Sequence, residues 1–228
     1  MYTSETTHIY IESCSFINCS NIYSNGGSLY FGESGSCVMV KNCFLNSKGS
    51  GGVVFYIKTS SDDLNYIDKI NVCNCGTNVN ENNSTMYFGN SVTTFQHSNV
   101  SNNRCSEFSG MYLKAIGSSS KFLYTTYTNN TQAKSILIFY DGESMLSFVH
   151  CSFVKNVQNV SSKDPLIFSK TGNVTFDQIY LTENTASRLF GCEKCSPNYV
   201  DRRTLDIEPK TTVLDTGECF SLKKMEKE

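Results

Sequence analysis

Apolar residues recur along this chain at a long, nearly constant interval. The residue that follows an apolar-x-x step is Cys19, Asn46, Cys75, Asn103, Asn130, Asn156 and Asn184, with gaps of 27, 29, 28, 27, 26 and 28. Three positions before each stand Phe16, Cys43, Val72, Val100, Tyr127, Phe153 and Leu181. Eight positions before stand Ile11, Val38, Ile67, Phe95, Phe122, Phe148 and Phe176. All are apolar, and a column of seven arises by chance about once in a thousand at this composition. A second apolar stretch follows in every unit: "SLYF", "VVFY", "TMYF", "GMYL", "ILIF", "PLIF" and "RLF". The length between column and stretch varies, as a loop does.

A unit of about 27 residues holding two short strands reads as one coil of a parallel β-solenoid. The leucine pattern of leucine-rich repeats and the 3.6-residue period of helical repeats are both absent. The predicted fold is all-β: a right-handed, single-stranded parallel β-helix of about seven coils over residues 8–191. At about 4.8 Å per coil the rod is about 35 Å long. Asn tolerates the left-handed conformation that a sharp bend needs. Stacked Asn amides can also hydrogen-bond from coil to coil. The column therefore predicts an unbroken ladder of Asn103, Asn130, Asn156 and Asn184, with Asn46 and the small residues Cys19 and Cys75 in the same role. Gly26-Gly27 and Gly51-Gly52 fit tight bends.

Composition changes after residue 191. Fifteen of the last 37 residues are charged, against 25 of the first 191. Residues 192–228 read as a cap and a charged tail. Eleven Cys is an odd number, so at least one thiol is free or bonded to another chain. No two Cys share a column in adjacent coils, which predicts few or no bonds within the body and places any bond mainly among Cys192, Cys195 and Cys219. Cys192-x-x-Cys195 also has zinc spacing, but no His lies nearby to complete four ligands, and disulfides or plain thiols are the reading taken.

The net charge is -2, which gives no field favouring nucleic acid. No apolar run approaches the roughly 20 residues of a membrane-spanning helix. The start "MYTSETTHIYIES" has neither a basic n-region nor an apolar h-region. The chain is therefore expected to be intracellular or a piece of a longer secreted protein.

"SFINC", "SFVKN" and "YLTEN", with "GGSL"-like runs after them, resemble the Phe-x-x-Asn and Gly-Gly-Ala-Ile repeats of polymorphic outer membrane proteins. They are similar also to repeats in large surface-protein families of parasitic flagellate protists. The resemblance spans about Ile9 to Cys192. It implies a pectate-lyase-like right-handed β-helix, an extracellular or cell-surface setting and an adhesive or antigenic role. It implies no catalytic residue.

Parallel β-helices include pectin-degrading enzymes, which need clustered carboxylates for calcium or acid–base work. Asp62-Asp63 and Asp141 with Glu143 read instead as solvated turn acids. A more informative stripe lies six positions before the Asn column: Ser13, Val40, Lys69, His97, Tyr124, His150 and Gln178. Strict alternation from the apolar column turns it inward, whereas its composition asks for an outward face. A bend between the two reconciles them. Lys69, His97, Tyr124, His150 and Gln178 then line one candidate ligand face, with His97 and His150 roughly 10 Å apart, too far for one metal.

The expected function is that of a non-enzymatic β-helix module of a cell-surface or secreted protein. A host or matrix protein or a glycan is the expected partner, and self-association is expected through the edge of the first coil. No cofactor is expected. The alternative is a carbohydrate-binding or carbohydrate-cleaving β-helix.

Overall fold

The computed structural model describes residues 7–194 except 22, 33, 77–83, 133–135, 159–164, 187 and 189, together with a strand at Arg202–Leu205. The described residues are all-β and hold no helix, so none crosses a membrane as one. Each coil has up to four strands. The first is Thr7–Glu12, Gly35–Val40, Leu64–Asp68, Val92–Gln96, Lys121–Leu123 and Leu146–Val149 in successive coils. The second is Ser15–Ile17, Cys43–Leu45, Asn71–Cys73, Asn99–Ser101, Thr126–Thr128 and Ser152–Val154. In the last coil the two merge as Val174–Thr182.

Each strand pairs in parallel with its equivalent in the next coil. The first strand occurs seven times, so six turns separate its first copy from its last. A third strand of two residues and a fourth, Leu29–Phe31 to Phe190–Cys192, complete the coil. The chain is a parallel β-helix. The stretch after residue 192 returns to it, because Arg202–Leu205 pairs with Val174–Thr182.

The pairing corrects the register of the second unit. Phe16, Phe44, Val72, Val100, Tyr127, Phe153 and Leu181 share one column, so Phe44 rather than Cys43 points inward. The rings of Phe16 and Phe44 stack at 4.8 Å. The earlier column holds Met39, not Val38, between Ile11 and Ile67. Ser47, not Asn46, consequently holds the ladder position of that coil. The apolar-x-x step fits both Cys43 and Phe44, and ring packing selects Phe44.

The interior is a stack of buried side chains that includes Met39, Ile67, Phe95, Phe122 and Phe148. At its corner runs the Asn ladder. Asn103, Asn130 and Asn156 each donate from Nδ2 to the Oδ1 of the next Asn, at 3.1, 3.0 and 2.9 Å, ending at Asn184. Each Oδ1 also accepts the backbone N–H of the preceding coil's member, from Cys75 onward. Each amide reaches a backbone carbonyl as well: Val72, Val100, Tyr127 and Phe153. Among the described residues none of these four carboxamides has a buried polar atom left without a partner, which is the condition for burying amides without penalty.

The ladder residues do not themselves supply the left-handed turn. That conformation falls one position earlier, at Asn18, Asn46, Asn74, Asn102, Asn129, Lys155 and Glu183, all with φ between 52° and 57°. The glycine pairs do mark bends: Gly26 and Gly52 have φ of 76° and 67°, and a Cβ on either would strike the backbone carbonyl three residues on.

Candidate binding faces

Members of the stripe fall at equivalent points of successive coils. Ser13, Lys69, His97, Tyr124 and His150 occupy the bend between first and second strands, and Gln178 the equivalent point within Val174–Thr182, with φ from 46° to 55°. Lys41, also at φ 55°, replaces Val40 in the series. The left-handed residue breaks the strand alternation, which is how a column six before the ladder faces solvent although the one eight before it faces the core.

Three consecutive members stack as rings. His97 and Tyr124 have centroids 5.1 Å apart and planes within 4°. Tyr124 and His150 are 4.8 Å apart and within 7°. The tyrosine ring thus separates the two imidazoles. Asp68 orients the first: His97 Nδ1–H donates to Asp68 Oδ1 at 2.9 Å, since a carboxylate only accepts. Gln96 Nε2 donates to the same Oδ1 at 3.3 Å and to the Tyr66 hydroxyl at 2.9 Å. Burial, then the nearby Asp68 charge, push the Tyr66 phenol above its ordinary pKa.

An Asp–His pair invites comparison with a nucleophile-activating set. Ser98, next in sequence, points into the solenoid, where its hydroxyl donates to the Gln96 carbonyl and accepts from the Ile70 N–H. Among the described residues no hydroxyl or thiol hydrogen-bonds to either imidazole. Asp63, one of the turn acids, is committed to structure: its Oδ2 accepts from the Gly35 and Ser60 N–H groups at 2.8 and 2.7 Å. Asp141 lies 3.5 Å from Lys170 Nζ. Among the described residues no three His, Cys, Asp or Glu are grouped to hold a metal ion.

The cysteines divide by position. Cys14, Cys19, Cys37, Cys73, Cys75, Cys105 and Cys151 are free thiols. Burial pushes Cys37, Cys75, Cys105 and Cys151 up to about 12, which makes them inert. Cys192 is disulfide-bonded, while Cys195 and Cys219 lie outside the described residues. Cys43 is also disulfide-bonded, so the body does take part in a bond, contrary to the expectation that placed bonds mainly among the last three cysteines. The register is compatible with it: with Phe44 inward, Cys43, though buried, lies on the opposite side of its strand from the aromatic column.

Two further columns escaped the sequence reading. On the outer side of the fourth strands, Tyr30, Tyr56, Tyr87, Tyr112, Phe139 and Phe168 stand one per coil. Tyr56 and Tyr87 stack at 4.1 Å. All six lie in the apolar stretches quoted above, but at the third residue of some and the fourth of others, which hides the column. The other is the row of bend asparagines, one residue before the ladder and visible as "NC", "NS", "NC", "NN" and "NN". Comparison of the chain with family models, with curated proteins and with solved structures finds no match.

Proposed function

We propose that this chain is a non-enzymatic module of a cell-surface or secreted protein, a rod that binds a host or matrix protein or a glycan through side chains repeated once per coil. The observation that carries the reading is the His97–Tyr124–His150 stack, held in register on three successive bends with, among the described residues, no hydroxyl or thiol hydrogen-bonded to either imidazole. Half-exposed aromatic rings on a rigid scaffold suit recognition, since they bring large contact area at low entropic cost. The adhesive role and the extracellular setting rest on the resemblance of the repeats. The edge of the first coil is a second contact surface in this reading, suited to another copy of the chain.

A carbohydrate-binding or carbohydrate-cleaving β-helix is the second reading, and the outer column from Tyr30 to Phe168 favours its binding form. The test is retention of the protein on arrays of glycans and of matrix proteins. Tyr124→Asn removes the central ring and keeps a residue that tolerates the left-handed bend. Retention that falls at least tenfold in this variant supports the ring stripe. No retention on any array, or retention that the variant leaves unchanged, contradicts it. Release of unsaturated sugars from pectin would establish the cleaving reading instead.

A further inference from the structure

Between the second and third strands the bend asparagines form the wall of a shallow trough of about 350 Å³. It is lined by Asn46, Asn74, Asn102 and Asn129, with Arg104 and Thr131 beside them. Asn46 donates to Asn18 at 3.2 Å and Asn129 donates to Asn102 at 2.7 Å. Asn74 sits between these two pairs. Among the described residues its amide has no hydrogen-bond partner, and the Arg104 guanidinium has neither an ion pair nor a hydrogen bond. Both side chains are exposed.

The trough is open because of one residue. Lys48, Gly76, Arg104 and Thr131 hold the same position in four successive coils, each donating its N–H to the carbonyl of the preceding coil's ladder residue. Gly76, with φ 70°, carries no side chain there, and a Cβ would lie 2.2 Å from the Arg104 carbonyl oxygen. The result is a notch with a cation one coil to either side, Lys48 and Arg104, and the unpaired Asn74 amide two residues before it. Bend geometry alone does not account for the amides, since Lys155 and Glu183 adopt the same φ in the last two coils.

We propose that this notch binds the anionic oxygen group, carboxylate or sulfate, of a linear acidic oligosaccharide. A guanidinium takes two oxygens of such a group at once. The neighbouring carboxamides, one per coil at about 4.8 Å, both donate and accept, as rows of sugar hydroxyls require. The proposal rests on the reading of the rod as a binding module but not on the His–Tyr–His stripe, which lies on a different bend.

The probes are a heparin-derived oligosaccharide, bearing sulfate, and an oligogalacturonate, bearing carboxylate alone, with neutral dextran as control. Calorimetric titration of the wild-type chain is expected to give binding of at least one acidic probe, weakened by salt, and none of dextran. Asn74→Asp keeps size and tolerance for the left-handed bend but puts a negative charge in the notch. It and Arg104→Gln should each weaken binding at least tenfold with the melting temperature unchanged, while Tyr124→Asn should leave this binding intact. Binding of neither acidic probe overturns the proposal, as does binding that both notch variants leave unaltered. Loss of acidic-probe binding in Tyr124→Asn alone would return the ligand to the ring stripe and overturn the notch, whereas failure of the notch variants to matter leaves the ring stripe standing.

Discussion

Asn130 and Asn156 are joined twice across one coil step: the Asn130 carboxamide donates to Asn156 Oδ1 at 3.0 Å, and the Asn130 backbone N–H donates to the same oxygen at 3.1 Å. One buried oxygen therefore ties both side chain and main chain of two coils that are 26 residues apart in sequence. This doubled bond, repeated along the corner, holds equivalent positions in line and lets surface side chains form columns.

The ladder stops at Cys75, whose thiol has its nearer acceptor in the Cys73 carbonyl at 3.2 Å; beyond that, the Phe44 carbonyl lies 3.8 Å from the sulfur and the Ser47 N–H donates to it at 3.4 Å. The last two are the partners an Asn would use at closer range. Cys75→Asn should extend the ladder by one member and stabilise the chain by about 1 kcal/mol. Urea unfolding measures it: a midpoint raised over the wild type is the expected outcome, and a lowered one would show that the corner cannot hold the larger side chain.

Stability should fall in alkaline solution. Burial raises Cys37, Cys75, Cys105 and Cys151 to about 12 in the folded chain, so the unfolded chain loses these protons first. A raised folded pKa gives stability that is present below the unfolded value and lost as pH climbs toward the folded one. Urea midpoints should therefore decline from about pH 9 upward. At pH 8 iodoacetamide should label exposed Cys14 in the native state and leave these four unlabelled until urea is added.

The first coil is less well covered than the next. Ile9, Ile11 and Phe16 are only partly buried, whereas their partners Cys37, Met39 and Phe44 are buried. Within the described sheet the first strand pairs on one side only, with Gly35–Val40. Such an edge takes further strands. Self-association in sedimentation velocity is expected to weaken with Ile11→Lys and with Tyr10→Lys, the latter an exposed position. A monomer at high concentration in the wild type would contradict the open edge.

The period of the repeat, the inward phenylalanines Phe95, Phe122, Phe148 and Phe176 and the last four ladder members were legible because each is one residue type at a nearly constant spacing. The second coil was not: Cys43 and Phe44 are both apolar, Asn46 and Ser47 are both small and polar, and the two registers are separated by contacts between coils, the Phe16–Phe44 ring stack and the strand pairing, that no single unit displays. Gln132 shows the same limit. It reads as a loop residue two beyond Asn130, yet it is a buried member of the third strand and accepts a bond from the Ser109 hydroxyl. The ring stripe was legible as composition, while its outward direction depended on the left-handed backbone at Lys69, His97, Tyr124, His150 and Gln178. The notch at Gly76 was not legible, since it is an absence on one coil between side chains on two others.

Both binding faces depend on equivalent positions of successive coils lying in line, and the buried ladder is where that claim is most exposed to test. Asn130→Leu removes the acceptor of the Asn103 amide and N–H, and the donor to Val100 O. Each buried group stranded in this way costs about 1–3 kcal/mol. Differential scanning calorimetry of Asn130→Leu beside Lys121→Ala, an exposed outward position, compares the two directly. The expected result is a melting temperature lowered by at least about 4 °C in the first and unchanged in the second. Equal melting temperatures for the two variants would contradict the ladder, and with it the alignment of the columns.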